Sequence, residues 1–293
     1  MSAFVEMPDG FVRPEYVRTE LGQMSEVLEK PLSAWERVYD SVVFRKAFIV
    51  LMLAVCWEIY GRWLGNSLLF PTFLETFRAL IGSLLDGVLL DRVVASLSVL
   101  LEGYVIGLLL AGLLTVAAIN SRIGTDLLET LTSMFSPLPA IALLPLALIW
   151  FGLGNGSLVF VLVHSVLWAM ALNTHSGFLT VSPTIKMVGR NYNLHGLRFV
   201  GSILVPAAFP SILTGLKIGW AFGWRTLIAA ELVFGISSGS GGLGWFIFEN
   251  KNELRIDSVF AGLLTVIIIG LLVENFVFVQ VEKRTIRKWG VHS

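Results

Sequence analysis

Six ionisable side chains fall within or at the ends of long apolar runs in this sequence: Glu58, Glu102, Lys217, Arg225, Glu231 and Glu274. A charge in hydrocarbon is costly, so such residues face protein or water and find a partner, a cavity or a passing ion. On one run Lys217, Trp224 and Glu231 recur every seven residues and share a helical face, with Trp220 beside them and Arg225 on the flank. Lys217 lies near the end of its run and can snorkel. Arg225 lies nearer the middle and needs a buried carboxylate, water in a cavity or an anion. Trp220, Trp224, Arg225, Glu231 and Glu102 are therefore candidates for the wall of a path, with Glu102 or Glu231 as the resting partner of Arg225. The structural alternative is that Arg225 and a glutamate lock spans together.

Letter matches to enzyme motifs carry less. Gly239-Ser-Gly-Gly-Leu-Gly244 fits the G-x-G-x-x-G of dinucleotide sites, but that chemistry needs a strand before it and a helix after it. An apolar run precedes it here, and a flexible external loop is the expectation. Gly235-Ile-Ser-Ser-Gly239 fits the nucleophile elbow and raises a rival class, an intramembrane serine hydrolase with Ser237 as nucleophile and His164 or His175 as base. Those histidines stand eleven residues apart on one face of a run, about three helical turns, too far to share a metal. No metal site is assigned on that distance. Against the hydrolase, neither histidine has a carboxylate partner in its own run, and Ser237 lies among glycines rather than on a sharp strand-helix turn. No G-x-x-x-x-G-K-[ST] occurs. Any ATP hydrolysis that drives this chain, with its Mg, belongs to a separate polypeptide, and no cofactor is expected here. Cys56 is the only cysteine; it excludes an internal disulfide and reads as a small core residue.

These side chains need membrane spans to carry them. Of 293 residues 55% are hydrophobic and 14% charged, against roughly 25% charged in a soluble domain. The mean hydropathy is +0.78, and the class is an all-α polytopic membrane protein. A net charge of zero gives no electrostatic case for nucleic acid. Residues 1–46 are polar and mixed; no cleaved signal peptide is expected. Within them Leu21, Met24, Leu28, Leu32 and Trp35 recur at helical spacing, which suits an amphipathic segment on the membrane or a neighbour. Six spans are expected within residues 47–281, near Ala47–Leu64, Ser96–Ile119, Leu127–Phe151, from the Gly152–Ser157 turn to Thr180, Ile203–Phe234 and Ser258–Val281. The third contains Pro137, Pro139 and Pro145, which kink or unwind it. Residues 282–293 form a basic tail.

Charge orients the spans. With the N-terminus inside, the inner segments hold Arg13, Arg18, Lys30, Arg37, Arg45, Lys46, Arg122, Lys186, Arg190, Arg198, Lys283, Arg284, Arg287 and Lys288. The outer ones hold Arg62, Arg78, Arg92, Lys251 and Arg255. Fourteen against five puts both termini, and the polar stretch 182–199, in the cytoplasm.

That stretch opens with Ser182-Pro183, a helix cap followed by a proline at the first helical position. Ile185, Val188, Gly189 and Tyr192 then share one face. It resembles the cytoplasmic coupling loop of ABC-importer permeases, whose pattern is Glu-Ala-Ala, three residues, Gly, and a Leu-Pro thirteen residues later. Counting back from Pro206 sets Asn193 on the glycine, Met187-Val188-Gly189 on the triplet and Arg190 on the basic residue that often follows. The Glu and the Gly are both replaced. Ser136-Pro-Leu-Pro-Ala-Ile-Ala-Leu-Leu-Pro145 with Trp150-Phe-Gly-Leu-Gly154, and Pro206-Ala-Ala-Phe-Pro-Ser-Ile-Leu-Thr-Gly-Leu-Lys217 followed by Trp224 and Ala230-Glu231, are similar to segments of the nitrate, sulfonate, taurine and bicarbonate class.

The resemblance implies a six-helix type I ABC-importer transmembrane domain in a bacterial inner membrane, not itself an enzyme. It implies a homodimer, two cytoplasmic ATPase subunits that bind ATP and Mg, and an extracytoplasmic solute-binding protein. Ile185, Met187, Val188, Gly189, Arg190, Tyr192 and Asn193 would couple to the ATPase. Small anions are the implied substrates, with an aromatic acid or a vitamin precursor as the alternative.

Overall fold

The computed structural model describes residues 40–234 and 241–285, and every regular element among them is helical. Two units divide between Val55 and Cys56. The first is described only from Asp40, as the opening turns of α1 (Val42–Leu64). The amphipathic stretch expected at Leu21–Trp35, the loop position Ser237 and most of the basic tail lie outside the described residues.

α1 is apolar on nearly every side and buries only Gly61, leaving that surface exposed on the single chain. Cys56 goes with it and is exposed, against the core position expected of it. The mixed stretch after α1 holds a helix that hydropathy alone does not mark, α2 (Phe73–Leu85). A capping box starts it: Thr72 Oγ1 accepts the Glu75 N–H at 3.2 Å, and Glu75 Oε2 accepts the Thr72 N–H at 2.8 Å. That Thr72 bond holds the Glu75 carboxyl below its usual range.

The centre of the second unit is α6 (Asn155–Thr180), packed between α3 (Val88–Ile119) and α9 (Phe209–Phe234). Glycines at every fourth position, Gly103 and Gly107 on α3 and Gly215, Gly219 and Gly223 on α9, let the backbones approach. A Cβ at Gly103 would stand 2.6 Å from Leu162 Cβ, and one at Gly215 3.0 Å from Asn173 Cβ. Leu100, Leu162, Val166 and Leu227 are wholly buried in the seam.

Two expected spans are bent. α4 (Arg122–Phe135) and the helical stretch Ala140–Phe151, whose second part is α5 (Leu144–Phe151), meet at 86°. Pro137 and Pro139 lie in the break, where neither can donate to the helix ladder. Pro145 sits in the first turn of α5 and breaks nothing. The span expected at Ile203–Phe234 starts instead at Phe209. Residues 203–207 belong to α8 (Gly196–Ala207), which meets α9 at 79°. Ahead of Pro206 the chain widens into a π turn, Val200–Leu204, where a proline has no N–H to give. α7 (Pro183–Asn191) links α6 to α8, and α10 (Leu243–Asn252) precedes α11 (Ile256–Arg284).

By length and composition α3, α6 and α11 can each cross a membrane, and up to five spans result if each bent pair counts as one. That is three to five spans among the described residues, against the six expected from hydropathy; α1 is not one of them.

Candidate functional site

The break between α4 and α5 leaves a cavity of about 240 Å³ against α6 and α9. Its polar lining is Ser136 from the break, His164 and Ser165 from α6, and Arg225 and Thr226 from α9. Phe135 and Trp168 stack beside it, with ring centroids 5.2 Å apart and planes at 11°. Arg225 lies over the Phe222 ring at 5.1 Å, and its Nε donates to the Ala221 carbonyl at 2.9 Å. Among the described residues no carboxylate comes within ion-pair distance of it. Arg225 is roughly 24 Å from the start of α9 and 14 Å from its end at 1.5 Å per residue, well inside the span.

The other side chains of the cavity carry spare donors. Both ring nitrogens of His164 and the indole N–H of Trp168 are buried without a partner, and the Ser165 and Thr226 hydroxyls lie 3.1 Å apart. Such a set can hold an anion: one cation supplies charge, and hydroxyl, imidazole and indole groups supply directed donors.

The remaining path candidates go elsewhere. Glu231 is 3% exposed and accepts the Ser96 hydroxyl at 2.8 Å and the Gly244 N–H at 2.8 Å. It does not reach Arg225, because the start of α10 closes over it. Gly241–Gly244 are packed there rather than forming the flexible loop expected, and a Cβ on Gly242 would collide with the Glu231 carboxylate. Trp224 is buried and donates to the Val266 carbonyl at 3.3 Å, which binds α9 to α11. Trp220 packs edge-on against Tyr104 at 5.6 Å. Glu102 is exposed on α3, with no bond to Arg225. Lys217 pairs with Glu282 at 2.9 Å and lies 3.9 Å from Glu274. The seven-residue face of α9 is thus a packing face, and of the path candidates Arg225 alone lines the cavity.

His164 and Trp168 were legible only as a helical i, i+4 pair. Their relation to Arg225 comes from the packing of α6 on α9, which local sequence does not reveal. As bases for a hydrolase the histidines have no support: among the described residues neither shows a bond to a carboxylate.

The second candidate region is α7. Ser182 Oγ accepts the Ile185 N–H at 3.3 Å, and Pro183 occupies the first helical position. Gly189 is buried under Phe199 and Ile203, whose side chains would lie 2.8 Å from a Cβ there. The helix therefore leans on α8, and Ile185, Met187, Val188 and Tyr192 are left exposed, with Arg190 beside them. Asn193 has φ 55°, left-handed backbone that glycine and asparagine tolerate best. The Asn193 N–H bonds the Arg190 carbonyl at 2.9 Å and the Leu194 N–H bonds the Gly189 carbonyl at 3.1 Å, a Schellman closure. Asparagine thus meets the backbone requirement that a glycine would meet at this position.

Comparison with known proteins gives the same outline. The family model described as binding-protein-dependent transport system inner membrane component matches residues 103–286. A putative ABC transporter permease protein of Methanocaldococcus jannaschii is 28% identical, covering 78% of this chain and 86% of its own. The nitrate import permease protein NrtB of Synechocystis sp. is also 28% identical, covering 82% and 88%. The taurine transport system permease protein TauC of Escherichia coli is 27% identical, covering 77% and 82%.

Proposed function

Because the chain belongs to the binding-protein-dependent transport system inner membrane component family, we propose that it is the permease of an ATP-driven importer that passes a small anion by way of the Arg225 cavity. Its partners on this reading are a second copy of itself, two ATPase subunits on the cytoplasmic side and an extracytoplasmic solute-binding protein. The observation that carries the anion is Arg225: an arginine well inside a span, lining a cavity, with no carboxylate in ion-pair distance among the described residues. Against lipid it would cost about 3 kcal/mol even on the gentlest insertion scale. Facing a water-filled path, it is matched by water and by the anion that passes.

The connection of α7 supports the coupling. α6 runs into α7 through Ser182-Pro183, and α7 leans through Gly189 on α8, which continues into α9 across the 79° bend. A push on the exposed side chains of α7 reaches both helices that wall the cavity. Closure of the ATPase pair would move α6 and α9 together against the α4–α5 break, opening the cavity to one side and then the other.

Reconstitution tests this. The chain, with the ATPase and binding protein from its gene neighbourhood, is placed in vesicles and offered labelled nitrate, taurine and ethanesulfonate. ATP-dependent uptake of one of them supports the reading; ATP-driven transport of cations alone ends it. The stacked Phe135–Trp168 pair favours a second reading, an aromatic acid, and benzoate competing with the transported anion is its signature.

A further inference from the structure

A second cavity, about 420 Å³, adjoins the first at Ser136 and lies farther along α6 toward α7. His175 on α6 anchors it, eleven residues after His164 and so about 16 Å closer to α7 at 1.5 Å per residue. His175 is 3% exposed and Thr132, across from it on α4, is 4% exposed. The Nε2 of the one and the Oγ1 of the other are buried without a partner. Ser133 and Ser176 add exposed hydroxyls, and Glu129 is the only charged side chain in the lining.

We propose that this His175 cavity is a second anion station, to which the anion moves from Arg225 on its way toward the α7 end of the molecule; this rests on the Arg225 reading. The two cavities are built oppositely. The first offers a fixed positive charge. The second offers imidazole and hydroxyl groups with no lysine or arginine, and a carboxylate at its edge. Conduction needs sites that bind well enough to be occupied and weakly enough to be left. A hydroxyl-lined station after an arginine has that order, and Glu129 hastens departure. Buried donors left unmatched lower stability, and a passing anion gives Nε2 and Oγ1 a partner. The Ser136 hydroxyl, in the lining of both cavities, stands at the hand-over.

The test uses the complete complex in vesicles, with whichever of labelled nitrate, taurine or ethanesulfonate it transports. His175→Leu fills the space and removes the donor. Maximal uptake per assembled complex is expected to fall about tenfold, while the half-saturating concentration of loaded binding protein changes by less than about twofold. His175→Asn restores an N–H and is expected to return uptake to within about threefold of the parent. If the buried Leu variant assembles poorly, Ser133→Ala with Ser176→Ala, at exposed positions of the same cavity, is measured instead, and a fall in maximal uptake is expected there as well. Parental uptake per complex in the variant measured overturns the proposal, as does equal loss in His175→Leu and His175→Asn. Arg225→Gln is run in parallel. Loss there with parental uptake in the His175 set removes the second station and keeps the first. Unchanged uptake in Arg225→Gln, or ATP-driven transport of cations alone, removes both.

Discussion

The Ser96 hydroxyl on α3 lies 2.8 Å from both carboxylate oxygens of Glu231 on α9, although 135 residues separate them in sequence. The same hydroxyl accepts the Leu243 N–H at 2.8 Å, and Glu231 accepts the Gly244 N–H. A carboxylate at the N-terminus of α10 is also favourably placed against the helix dipole. Three helices are tied at one buried point. Glu231→Ala leaves the Ser96 hydroxyl and a backbone N–H unmatched, a cost of about 1–3 kcal/mol. The thermal midpoint of the purified protein should fall, and it should also fall for Gly242→Ala, which drives a methyl into the carboxylate. Unchanged midpoints in both would mean that the tie contributes nothing.

Asn193 makes a local prediction. Its positive φ suits glycine at least as well, so Asn193→Gly should assemble with the ATPase as the parent does. Asn193→Val forces a β-branched residue into left-handed backbone at a cost of about 1–2 kcal/mol. Less ATPase should copurify with it. Equal recovery of the ATPase with Gly and Val would remove the role given to this turn.

Docking itself is tested at Val188 and Tyr192, which are exposed on α7. Val188→Asp with Tyr192→Asp should abolish copurification of the ATPase while the chain still inserts in the membrane. A complex of normal composition with substrate-stimulated ATP turnover would put the docking surface elsewhere.

Orientation is tested with single cysteines after Cys56→Ser. Leu254 and Leu197 are both exposed, the first between α10 and α11 and the second in α8. Leu254→Cys should react with an impermeant thiol reagent from outside intact cells, and Leu197→Cys only once the membrane is opened. The reverse pattern would invert the topology drawn from the basic residues.

How much of this was legible in the sequence differs by region, for physical reasons. Long apolar runs need only local composition, so α3, α6 and α11 were readable, as was Ser182-Pro183 opening α7. α2 and α10 were not: each is short and set in polar sequence, and the Thr72–Glu75 cap and the Gly241–Gly244 packing show only in three dimensions. The sequence marks Glu231 as a carboxylate inside a span that needs a partner, but that partner, Ser96, is not itself ionisable and lies on a distant span. Arg225 could be singled out by its depth in α9. The groups around it could not, because His164 and Trp168 share a cavity with it only through the packing of α6 on α9, beside the Pro137–Pro139 break.

On the proposed reading Arg225 acts on the anion rather than on the fold. Arg225→Gln keeps a polar side chain and removes the charge. Its most direct test is initial uptake of the transported anion per assembled complex, with assembly measured on the same preparation. The account predicts a fall of about tenfold or more at undiminished assembly, since a lost ionic hydrogen bond is worth about 1.5–3 kcal/mol. Parental uptake per complex, whatever the yield of complex, would contradict it and leave Arg225 a residue of the packing alone.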